Sequence, residues 1–347
     1  MNIKSLVILV AFVIVGAGAY FYSGSKQTIN ASAKIGSTIL PNLQTSLNSV
    51  DSLEMIGANN KVLSTIIRSD SEWTIKQRNN YPADISKVRA ALLNLAEAKI
   101  VEEKTSNPDL YNKLGVEDVS SHEAQGVQVI INYANQSSAI IIGKPGPQIN
   151  KSRYVRAVDD VISWLIDRKI DLKHEPEYWL KKDILSVEPS QVASVEVKLT
   201  EGGVLNIVHT GDEENTFEVI NLTDPSSRVI DPELHQITNA LSSFQLLDVV
   251  NEEEFKDKTS SMNVKYQLKS GVIIDVFAYD DGTDRYASVE ASLSTAISEE
   301  NKAASQAYVD SLNNATSGWV YKIPNVSYDS MYKSEEDVLA ITEDQLN

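Results

Sequence analysis

Apolar residues recur among polar ones over 52–58 and 62–68, two segments rich in strand-forming side chains. Asn59-Asn60 between them tolerates the positive φ of a tight turn, so the two runs predict a hairpin. A short strand is expected at 73–77. Beyond Tyr81-Pro82-Ala83, Asp84 is placed to cap a helix in which Ile85, Val88, Ala91, Leu92 and Leu95 recur at helical spacing as one apolar face. A polar loop containing Pro108 fills 102–125, and strands are predicted at 127–133, 138–143 and 153–158. Gly143-Lys144-Pro145-Gly146-Pro147 joins the last two as a stiff connection, and an amphipathic helix over 159–170 closes the unit.

This order recurs. Ser52-Leu53-Glu54-Met55 corresponds to Ser194-Val195-Glu196-Val197 and Val62-Leu63 to Val204-Leu205 at one offset, and Trp73-Thr74-Ile75 to Phe217-Glu218-Val219 after a small loop change. On the helix, Val88, Ala91, Leu92 and Leu95 fall on Ile237, Ala240, Leu241 and Phe244. Later, Val127-x-Val129-x-Ile131 matches Val264-x-Tyr266-x-Leu268, and Arg153-Tyr154-Val155 matches Arg285-Tyr286-Ala287. The expected fold is therefore α+β, with two tandem, similar lobes, each a mostly antiparallel sheet with packed helices in a β-β-β-α-β-β-β repeat. The repeats span 52–173 and 194–325, with a connector at 174–193. A helix is expected over 294–314, an extended segment over 320–324, and an acidic C-terminal tail over 326–347.

Ahead of the repeats, residues 5–25 carry no charged side chain, a stretch about 30 Å long as a helix and enough to cross a bilayer. Residues 1–26 thus read as a transmembrane anchor or a cleavable signal with small residues at Ala17-Gly18-Ala19, and the Ser/Thr/Asn-rich 27–51 as a stalk. Either reading exports the remainder, and the absence of cysteine agrees with an oxidising compartment. The net charge of −17 with no long basic run argues against nucleic-acid binding.

Several segments together resemble the bacterial domain-of-unknown-function family numbered 4340. They are Trp73-x-Ile75 before Tyr81-Pro82-Ala83-Asp84, the Arg153-Tyr154-Val155 strand after Ile142-Gly143, and Gly318-Trp319-Val320-Tyr321-x-Ile323-Pro324. Leu40-Pro41-Asn42-Leu43 is similar to the family's approach to its first strand, which often has Phe before the Pro and Gly after it. The resemblance implies one N-terminal membrane segment and an association with ABC-type export or gliding-motility systems. It implies no catalytic residues.

The residues themselves point to no chemistry. His122, His174, His209 and His235 are scattered and form no H-x-x-x-H pair, so no metal ligand is assigned. Asp280-Asp281-Gly282-Thr283-Asp284 misses the ligand spacing of a helix-loop-helix calcium loop and reads as a hairpin turn. Ser23-Gly24-Ser25-Lys26 satisfies S-x-x-K but abuts the apolar segment, where no pocket can present the serine. Trp73, Tyr81, Trp164 and Trp179 could line a glycan or peptide groove, but Trp73 and Trp164 sit among apolar neighbours as core residues do. No catalytic, cofactor or metal residue is assigned.

The expectation is a non-enzymatic, membrane-tethered accessory module in the periplasm, held by residues 5–25 in the bacterial inner membrane and bound to a protein partner in an ABC-type export or envelope complex. The alternatives are a solute- or glycan-binding protein with its cleft between the lobes, and an envelope hydrolase of unrecognised type.

Overall fold

A computed structural model describes residues 35–340 apart from 71, 149–150, 212–215 and 221. The expected membrane segment, 5–25, lies outside the described residues, and so does Ser23-Gly24-Ser25-Lys26; among the described residues no helix is long and apolar enough to cross a membrane. The chain divides into two units, Met1–Lys181 and Lys182–Asn347. Both are α+β, and their strand pairs are antiparallel.

In the first unit β1 (Val50–Gly57) and β2 (Lys61–Ser69) form the expected hairpin, with Asn59 and Asn60 at φ 58° and 56°. β3 (Glu72–Ile75) and β4 (Tyr81–Pro82) lead to α1 (Ile85–Ala96), where the Asp84 carboxylate accepts from the amides of Ser86 and Lys87 and caps the free N–H groups of the first turn. Then come β5 (Ile100–Thr105), β6 (Val127–Tyr133), β7 (Gln136–Pro145), β8 (Arg153–Ala157) and β9 (Ser163–Ile166). The nine strands lie in the order β4-β3-β2-β1-β6-β7-β8-β9-β5.

Residues 159–170, expected as a helix, instead contain β9, every residue of which is buried. A strand covered on both faces loses its alternation, and Ser163-Trp164-Leu165-Ile166 beside Val161 and Ile162 then mimics a helical stripe. The expected loop 102–125 begins as β5, a sheet-edge strand whose Val101, Glu102 and Glu103 face solvent. The expected stalk is folded from Gly36 onward: Gly36 N–H donates to the Ile100 carbonyl at 2.8 Å, Ile100 N–H to Ser37 at 2.9 Å, and Ile39, Leu40 and Leu43 are buried.

Residues 106–126 lie against β7 and β8, where Tyr111 and Val116 bury Ile141. The approach is close enough to require glycine. A Cβ on Gly143 would stand 2.3 Å from the Leu114 carbonyl oxygen, and one on Gly126 2.3 Å from that of Gly115. Arg156, buried on β8, clamps this loop through Nε to the Val116 carbonyl at 2.9 Å and Nη2 to the Asp118 carboxylate at 2.9 Å, and stacks over Tyr111 at 4.7 Å.

The second unit begins with β10 (Asp183–Leu185), β11 (Val192–Leu199), β12 (Val204–His209), β13 (Phe217–Ile220) and α2 (Asp231–Asn239). β14 (Phe244–Gln245), β15 (Asp248–Asn251), β16 (Met262–Leu268), β17 (Val272–Asp280) and β18 (Arg285–Leu293) follow, then α3 (Glu299–Thr316), β19 (Trp319–Ile323) and α4 (Asn325–Met331). Its main sheet runs β13-β12-β11-β16-β17-β18-β19-β15, the order of the first sheet without β4. β10 pairs with β14 separately.

Register agrees as well. The β1–β6 ladder is irregular between Val50 and Ser52, and the β11–β16 ladder between Val192 and Ser194. Leu53 lies opposite Ile131, and Val195 opposite Tyr266. The counterparts of Val264, Tyr266 and Leu268 are therefore Val129, Ile131 and Tyr133, two residues beyond the match expected from sequence.

Each unit closes in the same manner. Ala83 bridges Leu180, with Asp84 N–H on the Trp179 carbonyl and Lys181 N–H on that of Pro82. Val229 bridges Leu339, with Ile230 N–H on Val338 and Ala340 N–H on Arg228. The expected connector, 174–193, is thus divided between the end of the first unit and β10 and the start of β11 in the second. The expected tail, described through 340, carries α4 with Tyr328 and Met331 buried.

Candidate binding groove

A concavity of about 510 Å³ lies in the first unit, between α1, the outer ends of β2 and β3, and the turn at Leu47 and Asn48. Trp73, Val88 and Leu92 are its buried apolar floor, while Ile85 at 49% and Leu93 at 39% exposure form an apolar rim. Ile85, Arg89 and Leu93 recur every four residues, so α1 presents a second stripe beside the one it buries. Ile85 therefore belongs to the rim and not, as its spacing suggests, to the core.

Two arginines and the exposed Asp70 give the groove its polarity. Arg68 is held in place, donating to the Asn48 carbonyl at 2.9 Å, 3.6 Å from the Asp51 carboxylate and 5.7 Å over the Trp73 ring. Arg89 is exposed and enters no ion pair among the described residues. A volume in the range of ligand sites, an apolar lining and a few oriented charges suit a peptide or small amphipathic ligand. No sequence signal marked Leu47, Trp73 and Leu93 as neighbours.

The residues weighed for chemistry lie apart. His122 is in an exposed loop 3.7 Å from Glu123, and His174 is 3.5 Å from Glu175. His209 packs edge-on against Phe217 at 5.3 Å and lies 3.3 Å from Lys269, and His235 is on α2. Among the described residues no three His, Asp or Glu side chains are grouped to hold a metal ion.

Residues 280–284 form the turn between β17 and β18, and their carboxylates are engaged. Asp280 accepts from Gly282 N–H and pairs with Arg285, Asp281 accepts from the amides of Thr283 and Asp284, and Asp284 meets Lys322 at 2.7 Å. Those backbone bonds hold Asp281 below the usual carboxylate range, and the Asp284 bond raises Lys322. Trp73, Tyr81, Trp164 and Trp179 are all buried, and of the four Trp73 also lines the groove.

The profile of DUF4340, a domain of unknown function, matches residues 73–270, more than half of the chain. No curated protein and no solved structure matches it.

Proposed function

The chain belongs to the DUF4340 family, and on that premise we propose that it is a membrane-tethered, extracytoplasmic accessory module that binds a protein of an ABC-type export or envelope complex and performs no chemistry of its own. The groove beside α1 carries this reading, because it offers an exposed apolar stripe with Arg68 held in place and Arg89 exposed beside it, and its single carboxylate, Asp70, makes no acid–base pair with another of the described lining residues. The uncharged residues 5–25 supply the tether. We also read the two units as tandem copies of one α+β unit. The shared strand order, the matching irregularities after Val50 and Val192, and the matching closures at Leu180 and Leu339 support that reading.

A photo-crosslinking residue at Leu93 of the full chain in native membranes tests the binding role. The expected result is an adduct with a membrane-complex subunit that disappears in an Ile85→Asp background. An adduct unaffected by that change, or turnover of an envelope substrate abolished by one His or carboxylate substitution, would overturn it. A reporter fused after Asn347 checks the topology independently and is expected to be active only when exported.

A further inference from the structure

The units diverge sharply between β8 and β9 and their equivalents, β18 and β19. In the first, β8 turns directly into β9 and the ladder runs from Arg153–Ile166 to Arg156–Ser163. In the second, the 18 residues of α3 intervene, and the β18–β19 ladder ends at Ala287–Tyr321 although β18 continues to Leu293. Asn313 of α3 takes over at the far end, its amide accepting from Ala291 N–H at 2.8 Å and donating to the Ala291 carbonyl at 2.9 Å. Main-chain direction alternates along an antiparallel strand, so Val289 turns its N–H and C=O to the side where Ala287 meets β19 and Ala291 meets Asn313.

That gap is a cleft of about 310 Å³ lined by Glu252, Val289, Glu290, Asn313 and Trp319, among others. Glu252 and Glu290 are exposed, and neither enters an ion pair among the described residues. Trp319 is partly buried. The wall therefore combines two carboxylates, an indole and a stretch of strand beyond its ladder. We propose that this cleft binds a lysine or arginine side chain of an extended peptide, which pairs its main chain with Val289 and sets its cation among Glu252, Glu290 and Trp319. Each part matches a general preference: strand addition at an unpaired edge, a cation on an aromatic face, and charge-assisted hydrogen bonds to carboxylates. The net charge of −17 draws such a cationic partner toward the protein. This inference is independent of the groove in the first unit.

Calorimetric titration of the full chain in detergent with acetyl-Val-Lys-Val-amide, acetyl-Val-Glu-Val-amide and butylamine tests it. Saturable binding is expected for the lysine peptide, weakening with salt, with butylamine at least about tenfold weaker and no response to the glutamate peptide. In an E252Q/E290Q variant with unchanged melting temperature, affinity for the lysine peptide should fall at least about tenfold. Equal binding of the two peptides, unchanged affinity in the variant, or no saturation up to about 1 mM would overturn the site. Butylamine binding as tightly as the lysine peptide would overturn the peptide assignment.

Discussion

Arg156→Met probes the clamp on the loop 106–126. Methionine keeps the flexible stem and most of its packing while removing the guanidinium. The lost bonds fall into two groups. Nε to Val116 and Nη1 to Asp160, both 2.9 Å, satisfy buried carbonyls, and each acceptor left alone costs about 1–3 kcal/mol. The ion pair with Asp118 contributes little, because that carboxylate is 63% exposed and screened by solvent. Together with the stacking on Tyr111, the expected loss is about 3–5 kcal/mol. Urea unfolding of the full chain in detergent can isolate the first unit in a Trp319→Phe background, since Trp73, Trp164 and Trp179 all belong to it. Hydrogen exchange at 111–119 should accelerate in parallel. A loss under about 1 kcal/mol would refute the reasoning, because it would mean that water satisfies these carbonyls as well as the guanidinium does.

Leu92→Ala and Leu241→Ala should each cost about 2–5 kcal/mol in denaturant melts, since both side chains are buried, although by the matching closures the counterpart of Leu241 is Leu95 and not, as the sequence match suggests, Leu92. Gly143→Ala should cost about 1–3 kcal/mol by the same measurement and loosen the loop at Leu114, because its Cβ would collide with backbone. Burial raises the pKa of Tyr266, whose hydroxyl donates to the Ile237 carbonyl at 3.0 Å. Above its unfolded value of about 10 the unfolded chain releases the proton while the folded one keeps it, so this stabilising contribution is complete below pH about 10 and is lost as pH rises further. Thermal melts over about one pH unit either side of that value should show a fall that Tyr266→Phe reduces, at a cost of about 1 kcal/mol at neutral pH.

The parts legible in the sequence are those whose determinants are local. Asn59-Asn60 specifies its turn by tolerance of positive φ, Asp84 specifies its cap by reach to two amides, and the strands with one exposed face show their alternation. β9 escaped because burial on both faces removes that signal. The match between β6 and β16 slipped by two residues for a related reason: with a period of two, such a shift keeps every side chain on its face, and only pairing with β1 and β11 distinguishes the registers. Gly143 read as part of a stiff connection because nothing nearby in sequence reveals the Leu114 carbonyl beside it. The groove required Leu47, Trp73 and Leu93 to meet, which only the folded chain accomplishes.

If the units are copies, their differences indicate where each has acquired its own surface. The matching closures that align Ala83 with Val229 and Asp84 with Ile230 carry Arg89 and Leu93 to His235 and Asn239, three residues short of the helix match expected from sequence. His235 and Asn239 are exposed polar residues, so the second unit lacks both the arginine and the apolar rim of the groove. The cleft beside Trp319 has the reverse distribution, because it depends on α3, whereas in the first unit β8 turns directly into β9. Both changes leave the strand order intact, since one alters a helix surface and the other a connection, with the loss of one pair from the β18–β19 ladder. Each unit therefore carries one surface that the other lacks, on a different part of the shared frame. The two surfaces have no lining residue in common, so variants in the groove and in the cleft should act additively on any binding measured for the whole chain.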